Sequence, residues 1–182
     1  MMIRALTSLL SLALFAVLLA PSSVHAQEAA PEDVASPEAI VAATYESIQR
    51  APGENYDWPR FRSLFIPEAR LIPNKEQTGG QFRVLSPQDF IDWADSATTI
   101  GGPNDRGFSE SEIHSKVERY GDIAHVFSTY QKHFWNDERV LGRGINTFQL
   151  VYHADRWWVV GIVWDEPTGA GPIPDQYLPQ GE

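Results

Sequence analysis

Residues 157–164, WWVVGIVW, hold no polar side chain over eight successive positions. A strand with one wet face alternates apolar and polar residues, because neighbouring side chains point to opposite sides of the sheet. This segment does not alternate, so each of its faces requires a cover. It closes a longer stretch, INTFQLVYHADRWWVVGIVW (residues 145–164), which reads as two strands joined by a tight turn at His153-Ala154-Asp155-Arg156.

The covers have to come from the rest of the chain. From Phe108 onward the pattern has period two: SESEIHSKVERYG, DIAHVFSTYQKHFW, RVLGRGINTFQLVYH and RWWVVGIVWDEP are four strands, with turns at Gly121-Asp122 and Asn136-Asp137. The chain before Phe108 has helical spacing. Ser36-Pro37-Glu38 is a helix start, with serine as cap and proline in the first turn. Ile40, Val41, Ala43, Tyr45 and Ile48 then populate one helix face. DWPRFRSLF (57–65) is a short second helix, ARLIPN (69–74) a first strand, and SPQDFIDWADSAT (86–98) a third helix carrying Phe90, Ile91 and Trp93. No internal repeat is present. Three helices followed by an antiparallel meander predict an α+β domain whose helices cover one sheet face.

Some function classes are excluded by what flanks that domain and by charge. Arg4, the apolar run LTSLLSLALFAVLLA (6–20) and Val24-His25-Ala26 have the layout of a secretory signal peptide, and the run is short for a spanning helix. The expected organisation is a signal peptide over 1–26, a flexible acidic tether over 27–36, a domain over 37–167 and an irregular Gly/Pro-rich tail over 168–182. Localisation is then periplasmic or extracellular, with no membrane association once the signal is removed. Cleavage takes one of 14 basic residues and none of 24 acidic ones, and such an acidic surface repels nucleic acid. With no cysteine, an exported chain has neither disulfides nor thiolate metal sites, so its stability comes from packing.

The order of elements and the INTFQLVYHADRWWVVGIVW stretch resemble the nuclear transport factor 2-like superfamily, which includes ketosteroid isomerase, scytalone dehydratase and the SnoaL-like polyketide cyclases. The resemblance covers about residues 37–167 and is strongest with members of unassigned function. It implies a cystatin-like cone: three N-terminal helices packed in the concave face of a curved, mainly antiparallel sheet of four to five strands, around a pocket. In the isomerase-like arrangement Tyr45 takes the place of an oxyanion-holding tyrosine on the first helix. Asn146, in Ile145-Asn146-Thr147-Phe148, stands where a protonated aspartic acid is the second donor, and an amide still donates a hydrogen bond. The position similar to the catalytic base falls on Pro73, which cannot move a proton. Trp93 and Trp164 stand where pocket aromatics are found. The resemblance further implies an inward face formed by His125, Phe127, Thr129 and Gln131 on one strand, Asn146 and Phe148 on the next, and Trp158, Val160, Ile162 and Trp164 on the last. The outward apolar set is then Val126, Trp157, Val159 and Val163, through which a homodimer would form.

Among these residues His125, beside Tyr45 and Asn146, is the candidate general base, set against a histidine simply satisfied within a packed sheet. Glu110, Glu112 and His114 share one face at period two, but Lys116 and Glu118 continue it, so that face reads as solvated and no metal site is assigned. Ser115 and Ser128 lack a nucleophile-elbow context, and no phosphate-cradling loop or cofactor motif is present. Three functions remain open. The first is a non-catalytic protein binding a small apolar or amphipathic organic ligand. The second is a lyase, isomerase or cyclase using His125, and the third a dimerisation or partner-binding domain with a vestigial pocket. One outcome is directly measurable: the intact mass of the exported protein is expected to correspond to a chain starting at Gln27, whereas an uncut, membrane-retained product would contradict the signal reading.

Overall fold

Three local capping devices set the helices. In the computed structural model, which describes residues 28–96, 106–167 and 171–180, helix α1 (Pro37–Ser47) begins where Ser36 Oγ accepts the Ala39 N–H at 3.1 Å. Helix α2 (Trp58–Ser63) is capped by Asp57, whose carboxylate accepts the Arg60 N–H. Helix α3 (Pro87–Ser96) opens with a reciprocal box in which the Asp89 N–H donates to Ser86 Oγ and the Ser86 N–H to Asp89 Oδ2. Each cap satisfies first-turn N–H groups that have no helical acceptor, and the prolines at the starts fix a helical φ at no cost in hydrogen bonds.

Strand β1 (Phe65–Ile72) lies between α2 and α3, and β2 (Ser109–Tyr120), β3 (Ile123–His133), β4 (Gly142–His153) and β5 (Arg156–Asp165) follow. They form one sheet in the order β1-β5-β4-β3-β2, in which β1 runs parallel to β5 and the other neighbours are antiparallel. The predicted meander is thus extended by a parallel edge strand into a five-stranded mixed sheet. The helices bury Ile40, Val41, Phe61, Phe90 and Ile91 against one face of it.

Two register shifts decide which residues that face contains. In β5, Leu150 pairs with Val159 but Gln149 pairs with Gly161, so Val160 is an extra residue, a β-bulge. Before the bulge Trp157 and Val159 point at the helices; after it Ile162 and Trp164 do. The run WWVVGIVW therefore alternates after all, with its phase changed once. In β2 the same device at Ile113 separates Glu112, opposite Tyr130, from His114, opposite Thr129.

The expected inward face is corrected accordingly. On β3 it is Val126, Ser128 and Tyr130 that face the helices, while His125, Phe127, Thr129 and Gln131 lie on the opposite face; Trp158 and Val160 join them there. Val126, Trp157 and Val159, expected to form an outward dimer face, are 1%, 1% and 0% exposed within the core. Apolar surface on the far face comes instead from Trp158, Val160 and Val163, and Arg156 lies over the Trp158 ring at 3.6 Å.

Part of the far face is covered by the chain's own tail. A 3-10 turn at Asp175–Tyr177 brings the Tyr177 ring to 4.5 Å from Phe127, and Thr129 Oγ1 donates to the Tyr177 carbonyl at 2.7 Å. The expected tether is likewise docked: Pro31–Val34 forms a 3-10 turn, Val34 is buried, and Asp33 makes a two-pronged ion pair with Arg60. The signal segment and its cleavage point lie outside the described residues, and no described helix is long and apolar enough to cross a membrane.

Trp157 against Val163 tests the phase change. Trp157→Ala is expected to cost about 3–5 kcal/mol in urea unfolding, as for other large buried side chains, and Val163→Ala less than about 1 kcal/mol. Equal costs would contradict the bulge.

Candidate functional site

Between the helices and the sheet lies a cavity of about 260 Å³. Its walls divide by chemistry. One side is apolar and aromatic: Phe61, Phe90 and Trp93 from the helices, Phe108 and Phe134 near the ends of β2 and β3, and Phe148 and Ile162 from the middle of the sheet. Leu141, exposed on its other side, marks where the cavity meets solvent. The remaining side is polar and carries Tyr45, Gln77, Glu110, Tyr130, Lys132, Asn146 and Glu166.

Two hydrogen-bond networks organise this polar side. In the first, Trp164 Nε1 donates to Gln77 Oε1 (2.7 Å), and Gln77 Nε2 donates to Glu166 Oε1 (3.0 Å). Glu166 Oε1 also accepts from the Tyr130 hydroxyl (3.1 Å) and pairs with Lys132 Nζ (2.5 Å). Tyr130 reaches it because Gly144 stands opposite on β4; a Cβ there would collide with the phenol ring.

The second network joins α1 to the sheet. Ser128 Oγ donates to Glu112 Oε2 at 2.6 Å and lies 2.7 Å from the Tyr45 hydroxyl. A serine has one proton, so Tyr45 is the donor to Ser128. The Tyr45 oxygen in turn accepts from Asn146 Nδ2 at 3.0 Å, and the Asn146 amide faces the Glu110 carboxylate and favours its charged form. The chain runs Glu110, Asn146, Tyr45, Ser128, Glu112, with a carboxylate at each end. Burial holds the Tyr45 phenol well above its ordinary range, so it stays protonated.

Glu110 is the ionisable group that stands out. Burial pushes its carboxyl from 4.5 up to about 7; Lys132 opposes the shift, Glu166 adds to it, and the Asn146 amide lowers it. Its charge therefore changes near neutral pH. An acid with this value can move a proton at physiological pH, hold a cation, or donate a hydrogen bond when neutral.

Of the residues singled out in the sequence, Tyr45, Trp93, Asn146, Phe148 and Trp164 line this cavity. Phe127, Thr129, Gln131 and Trp158 do not, and neither does His125, which lies across the sheet with its ring 6.2 Å from Phe127. The parity of β3 is the reason. His125-Phe127-Thr129-Gln131 and Val126-Ser128-Tyr130-Lys132 are equally mixed in polarity, so alternation alone cannot choose between them. Tyr45 and Asn146 are adjacent, as expected, but donate to each other's network rather than jointly into the cavity. Glu110, weighed in the sequence only as a metal ligand on a solvated face, lines the cavity, and Lys132, Glu166, Gln77 and Tyr130 were missed. Gly142 and Gly144, opposite Lys132 and Tyr130, were the available signal, since a glycine inside a strand marks a large side chain lying close across it.

No protein-family model matches the sequence, and no curated protein matches it. Solved structures do. A protein of unknown function with a cystatin-like fold from Nostoc punctiforme PCC 73102 is similar at a TM-score of 0.54 and 12% identity, over 70% of this chain and 85% of that one. A second cystatin-like domain of unknown function from the same organism is similar at 0.50 and 11%, over 76% and 79%. An NTF-2 like protein of unknown function from Silicibacter pomeroyi is similar at 0.49 and 19%, over 71% and 91%. The chain has the cystatin-like fold, and the resemblance read from its sequence is met at that level.

The raised carboxyl has a consequence for stability. Because Glu110 holds its proton more tightly folded than unfolded, the native state binds the extra proton between about pH 4.5 and 7, and stability falls as pH rises through that window. Glu110→Gln removes the penalty. Relative to wild type it is expected to gain on the order of 1–3 kcal/mol between pH 5 and pH 8, read from urea unfolding at both values; parallel behaviour would show that Glu110 ionises freely.

Proposed function

We propose that this is an exported small-molecule-binding protein, a carrier or sensor that holds a largely apolar organic molecule without transforming it. One observation carries the reading: a cavity with an aromatic side and a hydrogen-bonded polar side lies where the helices and the sheet would otherwise close a dry core. Apolar walls with a few converging polar groups are the usual make-up of a ligand site. Such walls supply binding through apolar area, and the polar groups supply orientation. Pro73, where the resemblance places an acid-base residue, favours binding over turnover.

A second reading is an enzyme of proton transfer, a lyase, isomerase or cyclase. It is favoured by Glu110, a cavity carboxyl that titrates near pH 7, which takes the role first considered for His125. His125 has no access to the cavity and drops out of that mechanism.

Native mass spectrometry of the protein purified from its own host separates the readings. The expected spectrum contains a bound small molecule, and Ile162→Trp, which fills the cavity, is expected to lose that mass while circular dichroism shows it folded. A bare wild-type protein, or equal loading of wild type and Ile162→Trp, would overturn the carrier reading. If the bound molecule is turned over, and Glu110→Gln keeps binding but loses the reaction, the enzymatic reading replaces it.

A further inference from the structure

We propose that the cavity selects a ligand bearing a protonated amine, whose ammonium lies against the Glu110 carboxylate and whose apolar body lies among the aromatic rings. This rests on the reading that the cavity holds a small molecule, and adds the chemical class of that molecule.

The argument begins with donors and acceptors. Tyr45 gives its one proton to Ser128, which gives its own to Glu112, and Asn146 donates to Tyr45 and faces Glu110. On the other network Gln77, Tyr130 and Lys132 all converge on Glu166 Oε1. The single protons of Tyr45, Ser128 and Tyr130 are thus committed to acceptors within the polar side, while Lys132 and Gln77 keep spare N–H groups beside Glu166. At the Glu110 end a ligand donor meets a carboxylate with spare lone pairs, whereas a ligand carboxylate meets like charge.

Charge points the same way. The cavity wall contains two carboxylates, Glu110 and Glu166, and one cation, Lys132, which is ion-paired to Glu166. Glu110 is in no ion pair among the described residues, although its side chain is half-buried in the cavity wall. A carboxylate drawn partly out of water without a cation is unfavourable, and an incoming ammonium supplies the missing charge. The cavity is also lined by Phe90, Trp93, Phe108, Phe134 and Trp164, aromatic rings of the kind that attract organic cations. No group of three metal-ligating His, Cys, Asp or Glu side chains occurs among the described residues, so the arrangement suits an organic cation rather than a bare metal ion.

A pH dependence follows from the groups that face Glu110. Lys132 from β3 and the Asn146 amide from β4 favour its charged form; Glu166 after β5 and burial disfavour it. Tyr45 from α1, Tyr130 from β3 and Tyr56 before α2 all feel its charge, and Glu112 is its neighbour on β2. The tyrosines stay protonated at these pH values, leaving Glu110 as the group that turns the site on. Binding of an ammonium strengthens as pH rises through about 7, because only the ionised carboxylate pairs with it.

The test uses one ring system with three charges: 1-naphthylmethylamine, 1-naphthylmethanol and 1-naphthoic acid, titrated calorimetrically into the full-length exported protein. At pH 8 the amine is expected to bind about tenfold or more tighter than the alcohol, the range of a hydrogen bond to a charged group, with the acid weakest. At pH 6, where roughly one Glu110 in ten is ionised, the amine is expected to lose about tenfold while the alcohol does not change. Glu110→Gln should bring amine and alcohol to within about twofold of each other while still binding the alcohol, which shows that the variant is folded and its cavity intact. Equal binding of amine and alcohol by the wild type, or a preference for the acid, overturns the amine assignment and leaves the small-molecule reading standing. Failure of all three to bind overturns both. An amine preference that survives in Glu110→Gln would place the cation elsewhere and overturn the role of Glu110.

Discussion

A single extra residue, Val160, is what allows the last strand to exist in this sheet. The eight residues WWVVGIVW contain three tryptophans and no polar side chain, and in a regular strand they would place Trp157 and Val159 on one face and Ile162 and Trp164 on the other. Both faces would then need a deep apolar cover, and only one set of helices is available. The bulge turns the phase once, so all four of these residues meet the helices. The far face is left with Trp158, Val160 and Val163, which tolerate partial exposure. Gly161 at the same point has the Arg70 carbonyl of β1 3.1 Å from where a Cβ would stand, so the parallel edge strand can pair closely beside the irregularity.

The cavity follows from the polar residues that the sheet presents beneath α1 and α3. Ser128, Asn146, Tyr130, Glu110 and Glu112 share a face with Val126, Phe148 and Leu150, and polar groups placed there must be hydrogen-bonded or remain near water. The chain from Glu110 to Glu112 satisfies most of them by linking α1 to three strands. It also ties their positions together: Tyr45 is held at both its donor and its acceptor, so the first helix is located over the sheet by hydrogen bonds as well as by the edge-on contact of Tyr45 with Phe148, at a ring separation of 6.0 Å. Of the two carboxylates that end this chain, Glu110 is the one that opens into the cavity.

Much of the fold was legible because caps and periods are local. Ser-Pro starts, the Asp57 cap and the alternation of the meander involve neighbours in sequence, and each led to an element within a few residues of its true bounds. The parallel strand β1 was legible only as an isolated strand, since its partner lies some ninety residues further along. The site was legible where a residue had a counterpart in the resemblance: Tyr45, Trp93, Asn146, Phe148 and Trp164. It was not legible on β3, where both parities have the same mix of polar and apolar residues, or on β2, where the bulge at Ile113 separates Glu110 and Glu112 from the solvated-looking His114, Lys116 and Glu118. A bulge is a two-strand event, and no pattern within one strand announces it.

In the isomerase-like reading of the sequence, Asn146 would stand where a protonated acid donates into the pocket, and Pro73 where a base takes a proton. Asparagine cannot titrate, so the centre of the network is neutral at every pH, and its amide faces two acceptors, Tyr45 and Glu110, rather than empty space. The titrating carboxyl of the cavity stands on the strand at the far edge of the sheet, in the electrostatic reach of Lys132 and Glu166. An oxyanion site needs donors aimed inward. A network with its hydroxyl donors turned toward one another and a carboxylate left facing the cavity has the opposite polarity, which is the physical basis of the proposed preference for an ammonium.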